Sequence, residues 1–317
     1  MNEFEIIRRY FTPPTDHTLL AGGDDAALVS VTAGMDLVVT TDALVAGRHF
    51  FADADARGVG HKSMAVNLSD IAAMGARPRW ATLSLTIPSA AEAWLEAFAE
   101  GFLRLARDYE VDLIGGDTTR GPLTICVQVL GEVEHSKALR RAGARAGDDL
   151  WVSGEVGDSA LALAHARGEF HLTSRDRDYA LKRLNLPQPR VALGRALIGL
   201  ANSCIDVSDG LTADVGHIAE CSSVRAVIEW DRVPLSAVAI RYRDHPVVQR
   251  AALAGGDDYE LAFSAPRELR DEIEAVAGRV ALALTRIGRV EQGSGVAVID
   301  RTGRPIELTE AGFDHFR

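Results

Sequence analysis

Apolar residues recur at two spacings along this chain, and the two spacings predict alternating strands and helices. From Trp80 to Ile87 every second residue is apolar: Ala81, Leu83, Leu85 and Ile87 share one side, as in a strand with one buried face. Between Glu92 and Tyr109 the spacing changes to that of a helix, with Leu95, Phe98, Phe102 and Leu105 forming a stripe for the core. His61 to Met74 is also helical, carrying Met64, Leu68 and Ile71 on one face and Ser63, Asn67 and Asp70 on another. Gly75 and Pro78 supply its stop. A short helix is expected over residues 4–10, ahead of Pro13 and Pro14, and strands over Val29 to Val31, Leu37 to Thr41, Val111 to Ile114 and residues 123–134. In this reading Asp42 stands at the end of its strand, and Gly115 to Gly121 form a tight loop after theirs.

The second half repeats the alternation, opening with the strand Asp149 to Ser153 and a helix over 159–167 that Asp158 or Ser159 would cap. Later, the run Ile205 to Leu211 leads into another helix. Between the halves, Arg140 to Asp148 is a polar connection with Arg140, Arg141 and Arg145 and no acid until its end, which makes it the natural domain boundary. Domains of 1–140 and 141–317 follow. Three arginines in such a connection are either solvated linker or phosphate contacts, for which the planar guanidinium fork is suited.

At 317 residues each half is large enough to bury its own core. A composition 47% hydrophobic and 25% charged is that of a folded chain. The formal net charge of −11 argues against nucleic acid or an anionic membrane as partner. Cys126, Cys204 and Cys221 are widely spaced and contain no C-x-x-C pair, so buried thiols in a reducing compartment are expected rather than a disulfide framework or a zinc site. The N-terminus mixes acids with apolar residues and lacks a signal peptide's apolar core, and no segment reaches the ~20 apolar residues of a membrane span. The expected location is the cytoplasm.

Candidate chemistry comes from acids in unusual company. Asp24 and Asp25 follow Gly22-Gly23, Asp42 follows Thr40-Thr41, and Asp70 lies in Asn67-Leu68-Ser69-Asp70. Asp117 follows Gly115-Gly116, Asp206 and Asp209 bracket Val207-Ser208, and Asp257-Asp258 follow Gly255-Gly256. Surface carboxylates normally have Lys, Arg or Gln as neighbours, whereas these have Gly, Ala, Ser and Thr. If several converged, each pair about 5 Å apart would repel by about 3 kcal/mol at an effective dielectric near 20. A convergent cluster therefore requires cations, and hard oxygen ligands suit Mg²⁺ or Ca²⁺ rather than zinc. A metal-rich acid set with glycine loops and isolated arginines points to phosphoryl transfer. The common nucleotide signatures G-x-x-x-x-G-K-[ST] and G-x-G-x-x-G are missing.

The motifs, taken in order, carry a resemblance. Gly-Gly-Asp-Asp-Ala-Ala at 22–27, Thr-Thr-Asp-Ala-Leu-Val-Ala-Gly-Arg-His-Phe at 40–50 and Val-Asn-Leu-Ser-Asp-Ile-Ala-Ala-Met-Gly-Ala at 66–76 open the series. Gly-Gly-Asp-Thr-Thr-Arg-Gly at 115–121, Asp-Val-Ser-Asp-Gly-Leu at 206–211 and Gly-Gly-Asp-Asp-Tyr-Glu-Leu at 255–261 complete it. Together they resemble the thiamine-monophosphate kinase family, a relative of aminoimidazole ribonucleotide synthetase and selenophosphate synthetase, over essentially the full chain. The resemblance implies a two-domain α/β fold of the α+β type, similar to aminoimidazole ribonucleotide synthetase, with the N-terminal sheets pairing across a homodimer. The N-terminal domain would bind metal and ATP, and the C-terminal domain would close the cleft.

The resemblance also implies roles. Asp25, Thr40, Thr41, Asp42, Asp70, Asp117, Asp206 and Asp209 match positions that hold several Mg²⁺ ions. Gly116, Asp117, Arg141 and Ser208 match nucleotide contacts. His49, Asp257 and Phe313 match substrate contacts, Phe313 by packing on the substrate's rings. Many relatives carry Glu where this chain has Asp257, one methylene shorter. The implied reaction is ATP plus thiamine monophosphate giving ADP and thiamine diphosphate, by direct in-line transfer. Its acceptor phosphate is already largely ionised at neutral pH, so no general base is expected. Two alternatives stay open. One is a sister activity that phosphorylates an amide or carbonyl oxygen, or selenide; the last would want a reactive cysteine in a glycine-rich N-terminal segment, and none is present. The other is a non-catalytic divalent-cation-binding protein, which leaves Arg120, Arg141 and the hydroxyl-bearing loops without purpose.

Overall fold

The computed structural model describes residues 1–307 and 312 of the chain. They fall into two compact units, residues 1–71 with 76–136, and residues 72–75 with the chain from Lys137 onward. Among the described residues, no helix is long and apolar enough to cross a membrane.

The first unit contains α1 (Glu3–Tyr10), β1 (Met35–Val45), α2 (Ala56–Ala73), β2 (Arg77–Ile87), α3 (Glu92–Asp108), β3 (Asp112–Arg120) and β4 (Thr124–Glu134). Its four strands lie in the order β1-β4-β2-β3, antiparallel except for the β2–β3 pair, which α3 connects. Alternation decides which side chains meet the helices. Ala81, Leu83, Leu85 and Ile87 are buried with Phe98, Phe102 and Leu95 of α3, whereas Ser84 between them is exposed. Helices α2 and α3 approach so closely that only glycine fits at two crossing points. A Cβ on Gly60 would stand 2.1 Å from the Phe98 carbonyl oxygen, and one on Gly101 2.0 Å from that of Arg57.

Three expectations are corrected here. Val29–Val31 form no strand; residues 11–34 run irregularly, with an isolated bridge between Leu20 and Leu28. Their shape comes from side-chain anchors instead. The Asp112 carboxylate accepts from the amides of Asp16 and His17 and from Thr18 Oγ1, and Glu132 accepts from the amide and hydroxyl of Thr32. Asp42 lies inside β1, not at its end, because pairing with β4 continues to Val45. Gly115 to Arg120, expected as loop, continue β3, because β2 offers a parallel partner as far as Ile87.

The second unit contains β5 (Asp149–Ser153), α4 (Asp158–Ala166), α5 (Ser174–Asn185), α6 (Val191–Ala196), β6 (Ser203–Asp206), α7 (Leu211–Ser222) and β7 (Arg225–Glu229). They are followed by α8 (Ala237–Arg241), α9 (Pro246–Ala254), β8 (Leu261–Ala265), α10 (Arg270–Val280), β9 (Leu284–Glu291) and β10 (Gly295–Ile299). The six-stranded sheet runs β10-β7-β9-β5-β8-β6. Leu150, Val152, Ile205, Ala262 and Ile287 project from it into a core closed by Leu211, Val215 and Ile218 of α7. The opposite face stacks Trp151 on Phe263, ring centroids 6.2 Å apart. Helix α4 has Gly157 as N-cap, with no side-chain cap; the Asp158 carboxylate accepts from Ser236 Oγ instead. Of the three thiols only Cys204 is buried, Cys126 being half-buried and Cys221 exposed.

Candidate active site

In the first unit the acid-bearing elements lie side by side. Thr40 and Asp42 alternate with Thr41 along β1, so they share the face on which α2 lies. Thr40 Oγ1 donates to Asp70 Oδ2 of α2 at 2.5 Å, and the amide of Asp42 donates to Asn67 Oδ1 at 3.1 Å. Asn67 in turn donates from Nδ2 to the Ser63 carbonyl at 3.1 Å. Ser63 and Asn67 are fully buried. The polar face of α2 is therefore turned into the protein, where it locks strand to helix and sets Asp42 and Asp70 beside one another.

The same alternation sends Thr41 to the opposite face, where its hydroxyl donates to the Val127 carbonyl at 3.1 Å beside Cys126. Asp117 belongs to that opposite face as well, since it pairs with exposed Ser84 while its neighbour Thr118 is buried. Within this sheet the acids and hydroxyls are thus divided over two faces. Among the described residues, no three Asp, Glu, His or Cys side chains come close enough to hold a metal ion. At Gly116, φ is +150° and an added Cβ would stand 1.8 Å from the Leu83 carbonyl oxygen, so backbone approaches backbone there as only glycine allows.

His49 sits in the turn after β1. Its Nδ1 accepts from the Val45 amide at 3.0 Å, and its carbonyl accepts from Lys62 Nζ at 3.2 Å. With Nδ1 accepting, Nε2 carries the proton, and that edge of the ring is a donor. Asp25 is exposed in the irregular 11–34 segment, its amide donating to Asp24 Oδ1 at 2.8 Å.

In the second unit two loops are zipped together. Asp206 ends β6, and the chain then turns through Val207, Ser208, Asp209 and Gly210 into α7. The loop before β8 pairs with it: Asp257 donates its amide to the Ser208 carbonyl, Tyr259 to that of Val207, and Val207 to that of Glu260. A Cβ on Gly256 would stand 2.2 Å from the Ser208 carbonyl oxygen. The Asp257 carboxylate accepts from Tyr259 Oη at 2.9 Å, while Asp257 itself has φ +68°. Beneath, Glu260 is fully buried and accepts from Arg183, Arg190 and Ser153 Oγ.

The comparisons agree with one another. Residues 23–133 match the family described as AIR synthase related protein, N-terminal domain, and residues 145–301 the one described as AIR synthase related protein, C-terminal domain. The thiamine-monophosphate kinase of Escherichia coli (strain K12) is 42% identical over 318 aligned positions, covering 99% of this chain and 98% of that protein. The chain belongs to the thiamine-monophosphate kinase family. Among solved structures, that of the thiamine-monophosphate kinase from Stenotrophomonas maltophilia K279a superimposes with a TM-score of 0.86 at 45% identity, covering 98% of this chain and 96% of that one. A structure described as AaThiL complexed with AMPPCP and TMP superimposes with a TM-score of 0.78 at 31% identity, covering 98% and 96%.

Of the residues the family resemblance singled out, Thr40, Asp42 and Asp70 form one group, Asp206, Ser208, Asp209 and Asp257 another, and Thr41 and Asp117 share a third surface. Arg141 is exposed in the connection after the first unit, its carbonyl accepting from Ser222 Oγ at 3.3 Å. Phe313 lies outside the described residues. Asn67 in the first unit, which fixes β1 against α2, and Asp214 and Tyr259 in the second, which fix the loops there, are not among the expected site residues. For Asp214 the available signal was an acid in the first turn of a helix that follows Asp-Gly. Burial pushes its carboxyl up to about 7, the Asp209 charge adds to this, and three backbone amides oppose it. The Asp258 carboxylate accepts from the Gly157 amide at 2.8 Å. Burial raises its pKa well above the ordinary value, with that amide and Arg183 opposing.

Proposed function

We propose that this chain transfers the γ-phosphoryl group of ATP to thiamine monophosphate, giving ADP and thiamine diphosphate. The observation that carries the reading is the full-length similarity to thiamine-monophosphate kinases, together with the oxygen donors of β1 and α2 held against one another. The AaThiL complex with AMPPCP and TMP supports a nucleotide and a second phosphate ligand on this fold.

The donor set fits magnesium. It consists of carboxylates and hydroxyls, without sulfur, and it lacks a dense cage. Mg²⁺ is ordinarily held by one or two carboxylates, with water and substrate phosphates completing the shell, so small groups of acids suit it better than one large cluster. Asp42 and Asp70 with Thr40, Asp206 with Asp209, and, each separately, Asp25, Thr41 and Asp117, the last two on the outer strands β1 and β3 of the sheet, are the residues that would hold it. When bound, it neutralises charge on the phosphoryl oxygens.

The chain's own residues supply position. Thr40 holds the Asp70 carboxylate, and Asn67 fixes the backbone from which the Asp42 side chain projects. Ser208, Gly116 and Arg141 contact the nucleotide. His49 offers an N–H at Nε2, which suits holding a phosphate oxygen, and Asp257 contacts the substrate. None of these residues has to remove a proton, because the acceptor phosphate has a second pKa near 6 and arrives largely ionised. The first-unit sheet has Leu37, Val39 and Val45 exposed on its helix-free face, which supports pairing with a second copy as a cytoplasmic homodimer.

Phosphorus NMR of the purified protein with ATP, Mg²⁺ and thiamine monophosphate tests the reaction. Metal-dependent thiamine diphosphate with matching ADP is the expected result. Intact ATP would overturn the kinase reading and favour cation binding alone. ADP and free phosphate without thiamine diphosphate would remove the acceptor assignment.

A further inference from the structure

We infer that Asp214 is the positioning residue of the nucleotide loop, fixing the backbone from which Ser208 and Asp209 act; this rests on the function proposed above. Asp214 is buried in the first turn of α7 and is no part of the expected ligand set. A single oxygen, Oδ2, accepts from three successive amides: Ser208 at 3.0 Å, Asp209 at 3.1 Å and Gly210 at 3.1 Å. Three consecutive N–H groups converging on one point form a concave nest of the kind that usually receives an outside anion. Here the protein fills it with its own carboxylate, so these amides are directed inward.

The consequence for Ser208 is definite. Its N–H is taken by Asp214, and its carbonyl accepts from the Asp257 amide at 2.8 Å. Its hydroxyl is then the group left for a nucleotide. The Asp214 backbone closes the arrangement, donating to the Gly210 carbonyl at 2.9 Å, while an added Cβ on Gly210 would stand 2.8 Å from Ala254. Loop and helix start are thereby held as one piece, and the loop that carries Asp257 is joined to it through the carbonyls of Ser208 and Val207. Without Asp214, three amides, that of Gly210 buried and those of Ser208 and Asp209 half-buried, lose their acceptor together, and the turn that presents Ser208 and Asp209 has to rearrange.

The test compares the full-length wild type with Asp214→Ala and Asp214→Asn. Asp214→Ala is expected to weaken binding of magnesium–AMPPCP, measured by calorimetry, by about tenfold or more, and to raise the ATP KM similarly, as loss of a supporting residue does. The KM for thiamine monophosphate should change less than about twofold, and amide hydrogen exchange should accelerate at 208–210 while the β1–β4 ladder stays protected. Asp214→Asn should recover most of the affinity, because its amide oxygen keeps an acceptor where the three donors converge. Wild-type affinity and exchange in Asp214→Ala overturn the assignment, and so does an equal rise in both KM values with exchange accelerated throughout. If Asp214→Ala does not fold, Asp214→Glu carries the test, its acceptor displaced by one methylene: unchanged AMPPCP binding overturns the role, and a selective loss supports it. A wild type that makes no thiamine diphosphate removes the proposed reaction alone, since nucleotide binding and exchange still judge Asp214.

Discussion

The two units hold their acids by different means. In the first, Asp42 and Asp70 sit inside a strand and a helix, and the bonds that fix them run between neighbouring regular elements, Thr40 to Asp70 and Asp42 to Asn67. In the second, Ser208, Asp209 and Asp257 sit on loops, and their shape depends on buried acids whose bonds go to neighbouring amides and arginines. Asp214 gathers three amides, Asp258 holds Gly157, and Glu260 holds two arginines. A strand presents side chains at a fixed alternation without further support. A loop has no such repeat, so its geometry is supplied by buried side-chain acceptors, which makes the second region the one where stability and site geometry are hardest to separate.

That contrast can be broken by substitution. The largest effect is expected from Asp42→Ala or Asp70→Ala, each lowering turnover by about a thousandfold or more while circular dichroism and melting temperature stay near wild type. Wild-type-like turnover in either variant would remove these acids from the site. Next comes Glu260→Gln in the second unit, which leaves Arg183 and Arg190 without their carboxylate; unfolding free energy should fall by about 3–5 kcal/mol in a denaturant titration. If it falls by less than about 1 kcal/mol, the loops do not lean on that network as described.

The pH dependence sharpens the same point. Burial pushes the Asp158 carboxyl up to about 6, with Ser236 and Arg183 opposing, and its Oδ2 has no hydrogen-bond partner. An acid whose folded pKa is raised contributes stability that is fully present below its unfolded value near 3.8 and lost as pH rises through about 6. Wild-type unfolding free energy should therefore drop by about 2–3 kcal/mol between pH 4 and 6 relative to Asp158→Asn. Parallel curves for the two proteins would contradict this. The smallest effect is expected from Tyr259→Phe, which frees the Asp257 carboxylate from its hydroxyl. Steady-state kinetics should show the thiamine monophosphate KM rising about fivefold to tenfold with kcat little changed, the worth of one ordinary hydrogen bond. An unchanged KM would mean that Asp257 is positioned by its backbone alone.

Periodicity made the helices and most strands legible, from α1 and the α3 stripe to β2 and β4, because each has one face that must leave water. Spacing also marked the acids, since carboxylates among Gly, Ser and Thr are not built as a solvated surface. The extent of β3 was not legible: Gly115 to Arg120 have the local preferences of a turn, and β2 alone supplies the ladder that makes them strand. Nor was the placing of Asp42 on the face of Thr40, which needs the knowledge that β1 continues to Val45. Asp214, Tyr259 and Glu260 were invisible as supports because their partners lie in other loops or elements or depend on a backbone turn. The sequence by itself determined the family, through the order of its motifs, and roughly where each element lies, because hydrophobic period and residue type are local properties. Tertiary structure alone decided which oxygens face one another and which amides are turned inward, because hydrogen bonds between distant segments exist only once those segments are packed.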